Sequence, residues 1–299
     1  MTTDERELVE TIADRYYGAG PAAIEPITNL NHVVYRLRFA AGDKILKVAL
    51  GADGTSIRKE LWLLDLLRQH SIPVAVVEHA DADATVVGRP FFVMAVAGDQ
   101  TVADWVGKPV PVGRPLFIAM GAVFGRIHKI RVPPPDTGPV LVGPRDIERE
   151  RAAVLQVAEQ LTAQELLTPE EVDEFKGLPL PSLEGEFLCH GDFHAVQCLV
   201  HEERIAAVVD WESAWSGNPP VDLAMTNVYM DFYCPVLLSR AFFAGYASVR
   251  PMPENYVINL RPVRLAQTLA LAGVWLRQEN TTNLQRTLDL YRAYARQTL

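Results

Sequence analysis

The residue types best suited to chemistry fall in two short stretches, His190-Gly191-Asp192-Phe193-His194-Ala195-Val196-Gln197 and Val208-Val209-Asp210-Trp211-Glu212. Transfer of a phosphoryl group to a hydroxyl needs one carboxylate to accept the hydroxyl proton and orient the nucleophile. It also needs hard oxygen atoms that hold Mg²⁺ against nucleotide phosphates. Asp192 can serve as that carboxylate, and Asp210 with the amide oxygen of Gln197 can serve the metal. An isolated Gly-Asp would be read as a turn cap. The two blocks together, in this order and spacing, point to a site. His190 and His194 can equally bond the loop backbone and set its shape.

A third candidate is Lys47, a single cation inside the apolar run Ile45-Leu46-Lys47-Val48-Ala49. Kinases place such a lysine on nucleotide phosphates. Glu60, near the start of the next helical pattern, is its natural ion-pair partner. Trp211, Glu212, Trp215, Asp231 and Tyr233 can frame an acceptor pocket for a cation through acidic and aromatic contacts, or can simply be core.

The elements that must carry these residues are legible in outline. Strand-like runs at 24–28, 33–39 and 44–49, separated by turn residues, predict an antiparallel meander. Ser56 to His70 carries Ile57, Leu61, Leu64 and Leu67 at three- and four-residue steps, the buried face of a helix. Further strands are predicted at 74–78 and 90–96. Helices are predicted at 115–129, 146–161, 169–176 and from 222 onward, with breaks at Pro235, Pro251 and Pro262. The Pro- and Gly-rich run 131–144 predicts no regular element. Short apolar runs at 186–189 and 205–209 predict two strands that present a site between them. The expected division is a sheet-and-helix lobe over 1–96 and a mostly helical lobe over 97–299, with a helical insertion at about 131–183.

Composition narrows the partners. With 299 residues, 49% apolar and 22% charged, the chain can build a large core. Its formal charge of −9, without Lys/Arg clusters, argues against nucleic acid and favours a small, even cationic, ligand. The polar start and the shortness of the longest apolar runs predict a soluble cytoplasmic protein with no membrane partner. Three cysteines without a Cys-x-x-Cys pair predict buried reduced thiols. Nothing in the sequence fixes the oligomeric state.

The two aspartate blocks resemble the aminoglycoside-phosphotransferase and choline-kinase superfamily, whose members carry His-Gly-Asp-x-His-x-x-Asn followed by Ile-Asp-Trp-Glu. The segment Gly217-Asn218-Pro219-Pro220-Val221-Asp222-Leu223-Ala224 is similar to the family's continuation, in which the later Asp is structural. The resemblance implies a two-lobed α+β protein-kinase-like fold with a small N-terminal antiparallel-sheet lobe. It implies transfer from ATP, or another nucleoside triphosphate, with Mg²⁺, to a hydroxyl of an aminoglycoside, amino alcohol or sugar. By it Asp192 is catalytic, Asp210 and Gln197 are metal ligands, and the nucleotide lies against Lys47 and a linker that includes Met94 and Val96. Two departures stand out. Asn29-Leu30-Asn31-His32 lacks the glycines that let backbone amides approach phosphate, and Gln197 replaces the usual Asn.

Other readings remain. A pseudokinase would bind nucleotide without turnover. Gly191-Asp192-Phe193-His194 is also similar to the start of a metallophosphoesterase, but the further carboxylate and His ligands of a two-metal site do not follow.

Overall fold

The computed structural model describes residues 2–27, 32–132, 146–254, 256 and 260–297. The expected turn at 29–31 and most of the Pro-rich run at 131–144 therefore lie outside the described residues. In chain order the first half gives α1 (Thr3–Tyr17), β1 (Ala23–Ile27), β2 (His32–Arg38), β3 (Lys44–Ala49), α2 (Thr55–Gln69), β4 (Val77–Asp81), β5 (Phe91–Ala95), β6 (Gln100–Thr101) and α3 (Val110–Ile127). There follow α4 (Ile147–Ala163), α5 (Pro169–Lys176), β7 (Phe187–Cys189), β8 (Cys198–His201), β9 (Arg204–Val208) and β10 (Trp215–Gly217). Four helices close the chain: α6 (Pro219–Tyr233), α7 (Val236–Ala247), α8 (Arg261–Arg277) and α9 (Thr281–Ala295). All strand pairs among the described residues are antiparallel.

The chain forms two compact units, Met1–Thr101 with Cys198–Glu212, and Val102–Gln197 with Ser213–Leu299. This division differs from the expected one at 96/97, because residues 198–212 pack with the first unit. β8 pairs with β6, and the Val208 N–H donates to the Pro73 carbonyl at 2.9 Å. Gly98 is the close-approach point. A Cβ there would stand 2.5 Å from the Val200 carbonyl oxygen.

In the first unit the five-stranded sheet runs β1-β2-β3-β5-β4. Its period-two alternation divides the side chains: Tyr35, Leu37, Leu46, Val48, Phe91 and Val93 pack against Val9 and Ile12 of α1. Ala49 and Phe92 pack with Ile57 of α2. Helix α1 was not foreseen from the acidic N-terminus, although Thr2-x-x-Glu5 forms a full capping box. On α2 the buried residues are Ile57, Glu60, Leu63, Leu64 and Leu67, so Leu63 takes the inward place expected of Leu61. Strand β4 starts at Val77 rather than 74, since Pro73 has no N–H for a ladder and its carbonyl is used by Val208.

The second unit is built on helix pairs. Helix α3 begins at Val110, five residues before the expected Pro115, with Pro111 in its first turn and Pro115 inside it. It is the one helix among the described residues with the length and apolarity of a membrane span, at 18 residues and half buried. That apolar surface packs on α7, where Gly121 and Gly245 let the backbones meet. A Cβ at either would lie about 2 Å from the carbonyl oxygen of Phe242 or Ile118. Helices α4, α5, α6, α8 and α9 share a second core around Phe175, Phe232, Leu269 and Tyr291. Pro235 and Pro262 stand at the starts of α7 and α8 rather than merely ending helices.

The two strands expected to flank a site are not partners. β7 pairs with β10 in the second unit, and β9 with β8 in the first.

Candidate active site

Asp192 sits in the loop that follows β7, and the loop's shape is fixed from beneath by a fully buried carboxylate. Asp222, in the first turn of α6, accepts the His190 N–H at 2.6 Å and the Gly191 N–H at 3.0 Å. Gly191 takes φ +82°, a left-handed turn that costs a glycine little. Phe193 anchors the loop's far side, stacked on Phe124 of α3 with ring centroids 4.1 Å apart. Asp192 itself is left about one-third exposed, at 33%.

Asp222 is completed by His128, whose Nε2 lies 3.1 Å from its carboxylate while Nδ1 lies 2.9 Å from the Tyr246 hydroxyl. Burial holds the imidazole below its ordinary range despite the Asp222 charge, so His128 is neutral near pH 7. It then donates from Nε2 to the carboxylate and accepts the Tyr246 O–H at Nδ1. Burial opposes ionisation of Asp222 as well, but the hydrogen bonds from His128 and His190 outweigh it and hold the carboxyl low. His128, Cys189 and Asp222 lie close enough to suggest a metal trio. Both carboxylate oxygens and both ring nitrogens are already engaged, so His128 and Asp222 act as a clamp.

Around the Asp192 carboxylate, the Tyr229 O–H donates to Oδ1 at 2.7 Å. Tyr229 Oη in turn accepts the Gln267 amide N–H at 2.9 Å. Burial, and then the Asp192 charge, push the Tyr229 phenol far up, so it stays a donor. On the other side the Gln197 amide nitrogen stands 3.4 Å from Oδ2, and His194 Nε2 stands 3.8 Å from it. Burial lowers the His194 pKa more than Asp192 raises it, so this ring is neutral too. Its Nδ1 accepts the Val196 N–H at 3.4 Å, and His190 Nδ1 accepts the Asp192 N–H at 3.3 Å. Both histidines therefore serve the loop backbone.

In the first unit the Lys47 ammonium donates to Glu60 at 2.7 Å, with side-chain exposures of 5% and 6%. The antiparallel register sets Lys47 on the α2 face of β3, and the helical step from Ile57 brings Glu60 to the same side. Met94 and Val96, half-buried at and just beyond the end of β5, lie on the same sheet; Met94 pairs with Ile45. Asp210 follows β9 with φ +66°, a left-handed conformation that aspartate tolerates better than most non-glycine residues.

The residues expected to frame an acceptor pocket do not assemble within either unit. Trp211 is fully buried and donates its indole N–H to the Val208 carbonyl at 3.0 Å, so it props the Asp210 turn. The Glu212 carboxylate faces His32 Nδ1 at 3.1 Å and its carbonyl accepts from Lys59 at 2.8 Å. Trp215 is buried at 2% exposure in the second unit, and Asp231 accepts the Tyr294 O–H at 2.8 Å. Tyr233 and Asp231 are the exposed members of this group, and Tyr233 stands beside Tyr229 and His194.

Tyr229, Gln267, His128 and His32 were missed in the sequence because none belongs to a motif. Tyr229 had a signal: Asp222, Thr226, Tyr229 and Tyr233 recur along one face of the otherwise apolar α6. His32, the last residue of the glycine-poor stretch, is held between Glu212 and Ser56, with Nε2 3.1 Å from the serine oxygen.

The family model described as the phosphotransferase enzyme family matches residues 23–254. The chain belongs to this family. As a family member it is a phosphotransferase with the two-lobed, kinase-like α+β fold. Among solved structures, it is similar to the GDP and kanamycin complex of APH(2")-IIia, with 14% identity, 97% of this chain and 98% of that one covered, and a TM-score of 0.68. It is also similar to a macrolide 2'-phosphotransferase from Brachybacterium faecium, with 18% identity, 98% and 99% covered, and a TM-score of 0.60. A thermostable mutant of aminoglycoside phosphotransferase APH(4)-Ia, in ternary complex with AMP-PNP and hygromycin B, gives 16% identity, 99% and 98% covered, and a TM-score of 0.63.

Among curated proteins it is similar to acyl-CoA dehydrogenase family member 10 of Mus musculus, 23% identical over 61% of this chain and 18% of that protein. Family member 11 of Pongo abelii is 24% identical over 50% of this chain and 20% of its own length. The chain thus spans about a fifth of the length of these curated relatives.

Proposed function

We propose that this phosphotransferase moves the γ-phosphoryl group of ATP, or of another nucleoside triphosphate, to a hydroxyl of a small molecule. The observation that carries the reading is the Asp192 carboxylate. It is partly exposed, its Oδ1 is held by a protonated phenol, and its loop is clamped by a second carboxylate buried for that purpose. Asp192 Oδ2 accepts the acceptor's hydroxyl proton and orients its oxygen for in-line attack. Lys47, fixed by Glu60, faces the nucleotide phosphates, while the β5 end at Met94 and the following Val96 meet the rest of the nucleotide.

A divalent cation fits the donor chemistry, since Asp210 and Gln197 both carry oxygen donors and Gln197 turns its amide nitrogen, not its oxygen, toward Asp192. Asp210 and Gln197 would hold Mg²⁺, which when bound neutralises phosphate charge. The relatives crystallised with GDP or AMP-PNP and with kanamycin or hygromycin B support a nucleotide and a small acceptor. Net negative charge and buried thiols outside any disulfide suit a cytoplasmic enzyme without a nucleic-acid partner.

The test is transfer of label from γ-labelled ATP, with Mg²⁺, to a panel of alcohols, sugars and aminoglycosides. Acceptor-dependent transfer that disappears in Asp192→Asn is the expected result. Nucleotide binding without transfer to any acceptor would instead establish the pseudokinase reading.

A further inference from the structure

The second unit contains a cavity of about 90 Å³ whose lining includes Trp215 but neither aspartate of the two motif blocks. Val154, Leu180, Leu183, Val221, Met225 and Val263 are among its walls, with Ala266 and Ala270 on α8 adding floor without filling it. Its polar lining is sparse. Glu150 and Arg151 stand on α4, and the Arg151 guanidinium is already engaged with the carbonyls of Lys176 and Leu178, at 2.6 and 3.4 Å. Gln267 is the remaining polar residue of the lining.

Two independent links tie this cavity to Asp192. Gln267 donates to Tyr229, and Tyr229 donates to Asp192 Oδ1, so a cavity wall stands two hydrogen bonds from the carboxylate. Trp215, another wall residue, pairs in β10 with Cys189 of β7, the strand that leads directly into the His190-Gly191-Asp192 loop. A space of this character, linked to the Asp192 carboxylate through two hydrogen bonds, selects by what it removes from water. Apolar groups gain by entering it, whereas an ammonium would be desolvated with Glu150 as the lone acidic partner in the lining.

We propose that the cavity bounded by Trp215, Met225, Ala266 and Ala270 receives the apolar body of the acceptor, so that the substrate is a hydrocarbon-rich alcohol rather than a polyamine. The proposal rests on the phosphotransferase reading of Asp192 and adds the acceptor's class. It replaces the cationic acceptor suggested by net charge. The formal charge of −9 belongs to the whole chain, whereas selection is local to the cavity.

The experiment uses the full chain with ATP, Mg²⁺ and two probe sets: primary alcohols from ethanol to octan-1-ol with benzyl alcohol, and kanamycin with choline. The kcat/KM for label transfer rises roughly fourfold per added methylene until the cavity is full, and kanamycin and choline are poor acceptors. Ala270→Phe fills the space and flattens the chain-length dependence. Ala266→Leu, a smaller filler on the same helix face, shortens the alcohol at which the rise stops and serves if Ala270→Phe does not fold. Saturation-transfer NMR with benzyl alcohol checks occupancy without turnover, and the signal is lost in the filled variants.

Transfer to kanamycin or choline with no chain-length trend overturns the cavity inference and leaves the phosphotransferase reading standing. Absence of benzyl alcohol binding, or binding that neither filler disturbs, overturns it too. Binding that the fillers abolish, but with no transfer to any acceptor, overturns the phosphotransferase reading and with it the acceptor role assigned to the cavity.

Discussion

On the proposed reading of Lys47 and Asp192, each unit buries a charge that positions a reactive group, but they do so in opposite ways. In the first, Lys47 is both the buried charge and the group on offer, and it is matched one-to-one by Glu60. In the second, the buried charge is Asp222 and the group on offer is Asp192, directly after the His190 and Gly191 N–H groups that Asp222 receives. A long lysine can be aimed by its own ion pair. A short aspartate cannot reach out from its backbone, so the backbone itself must be shaped, and Asp222 supplies the acceptor that shapes it. Aim comes from a side chain in one unit and from a loop in the other.

This contrast can be broken experimentally. The largest effect is expected at Asp192→Asn, where loss of the proton acceptor lowers kcat by about 10²–10⁴. Urea unfolding of the same variant stays at the parent midpoint, because Asp192 is partly exposed and bears no fold. A matching loss of stability would mean that Asp192 belongs to the clamp.

Asp222→Ala should behave inversely, costing about 3–5 kcal/mol of unfolding free energy through the orphaned N–H groups and His128. The acid limb of the stability curve sharpens the point. His128 and His194 both have pKa values lowered by burial from 6.5, so below about pH 6.5 the unfolded chain takes up protons that the folded chain refuses. Stability therefore falls as pH drops through that range. The Asp222 contribution, present above its ordinary carboxyl range, is lost only at still lower pH, because its folded pKa is depressed. Denaturant midpoints from pH 8 to 2 check both signs.

At the ion pair, Lys47→Met alone should destabilise by about 3 kcal/mol by stranding Glu60, whereas Lys47→Met with Glu60→Leu should be near neutral in stability. Both variants should raise the KM for ATP. If the double variant binds ATP like the parent, Lys47 is merely structural.

The smallest effect is expected at Tyr229→Phe, which removes one hydrogen bond to a charged group, worth about 1.5–3 kcal/mol. That corresponds to roughly tenfold to a hundredfold in kcat, with the KM for ATP unmoved. A drop in melting temperature at constant kcat would reassign Tyr229 to packing.

How much of this was legible in the sequence depends on how local each interaction is. The meander, α2, α5 and the Lys47–Glu60 pair follow from period and spacing, since the partners are thirteen residues apart and lie on adjacent elements. The two aspartate blocks were legible as motifs, and Asp222 as a structural acid. What failed was long-range. Gln267 meets Tyr229 across 38 positions and Arg151 meets the carbonyl of Leu178 across 27, pairings that no periodicity announces. Trp211 read as a pocket aromatic although its indole bonds the Val208 carbonyl, because composition cannot separate a prop from a lining residue, whereas Trp215 does line a cavity. The α1 capping box is present in Thr2-x-x-Glu5, but the acidic residues around it fit a solvated polar start equally well.

The return of Cys198–Glu212 to the first unit bears on how the protein is made. Strand β6 lacks its β8 neighbour, and the Pro73 carbonyl its donor, until residues beyond 198 have been synthesised. At typical elongation rates of roughly 5–20 residues per second, the first unit waits on the order of ten seconds on the ribosome before its last strands exist. An N-terminal fragment ending near Thr101 would lack them altogether. The chain order therefore makes the sheet-rich unit, begun first, unable to finish until most of α3 to β9 has emerged.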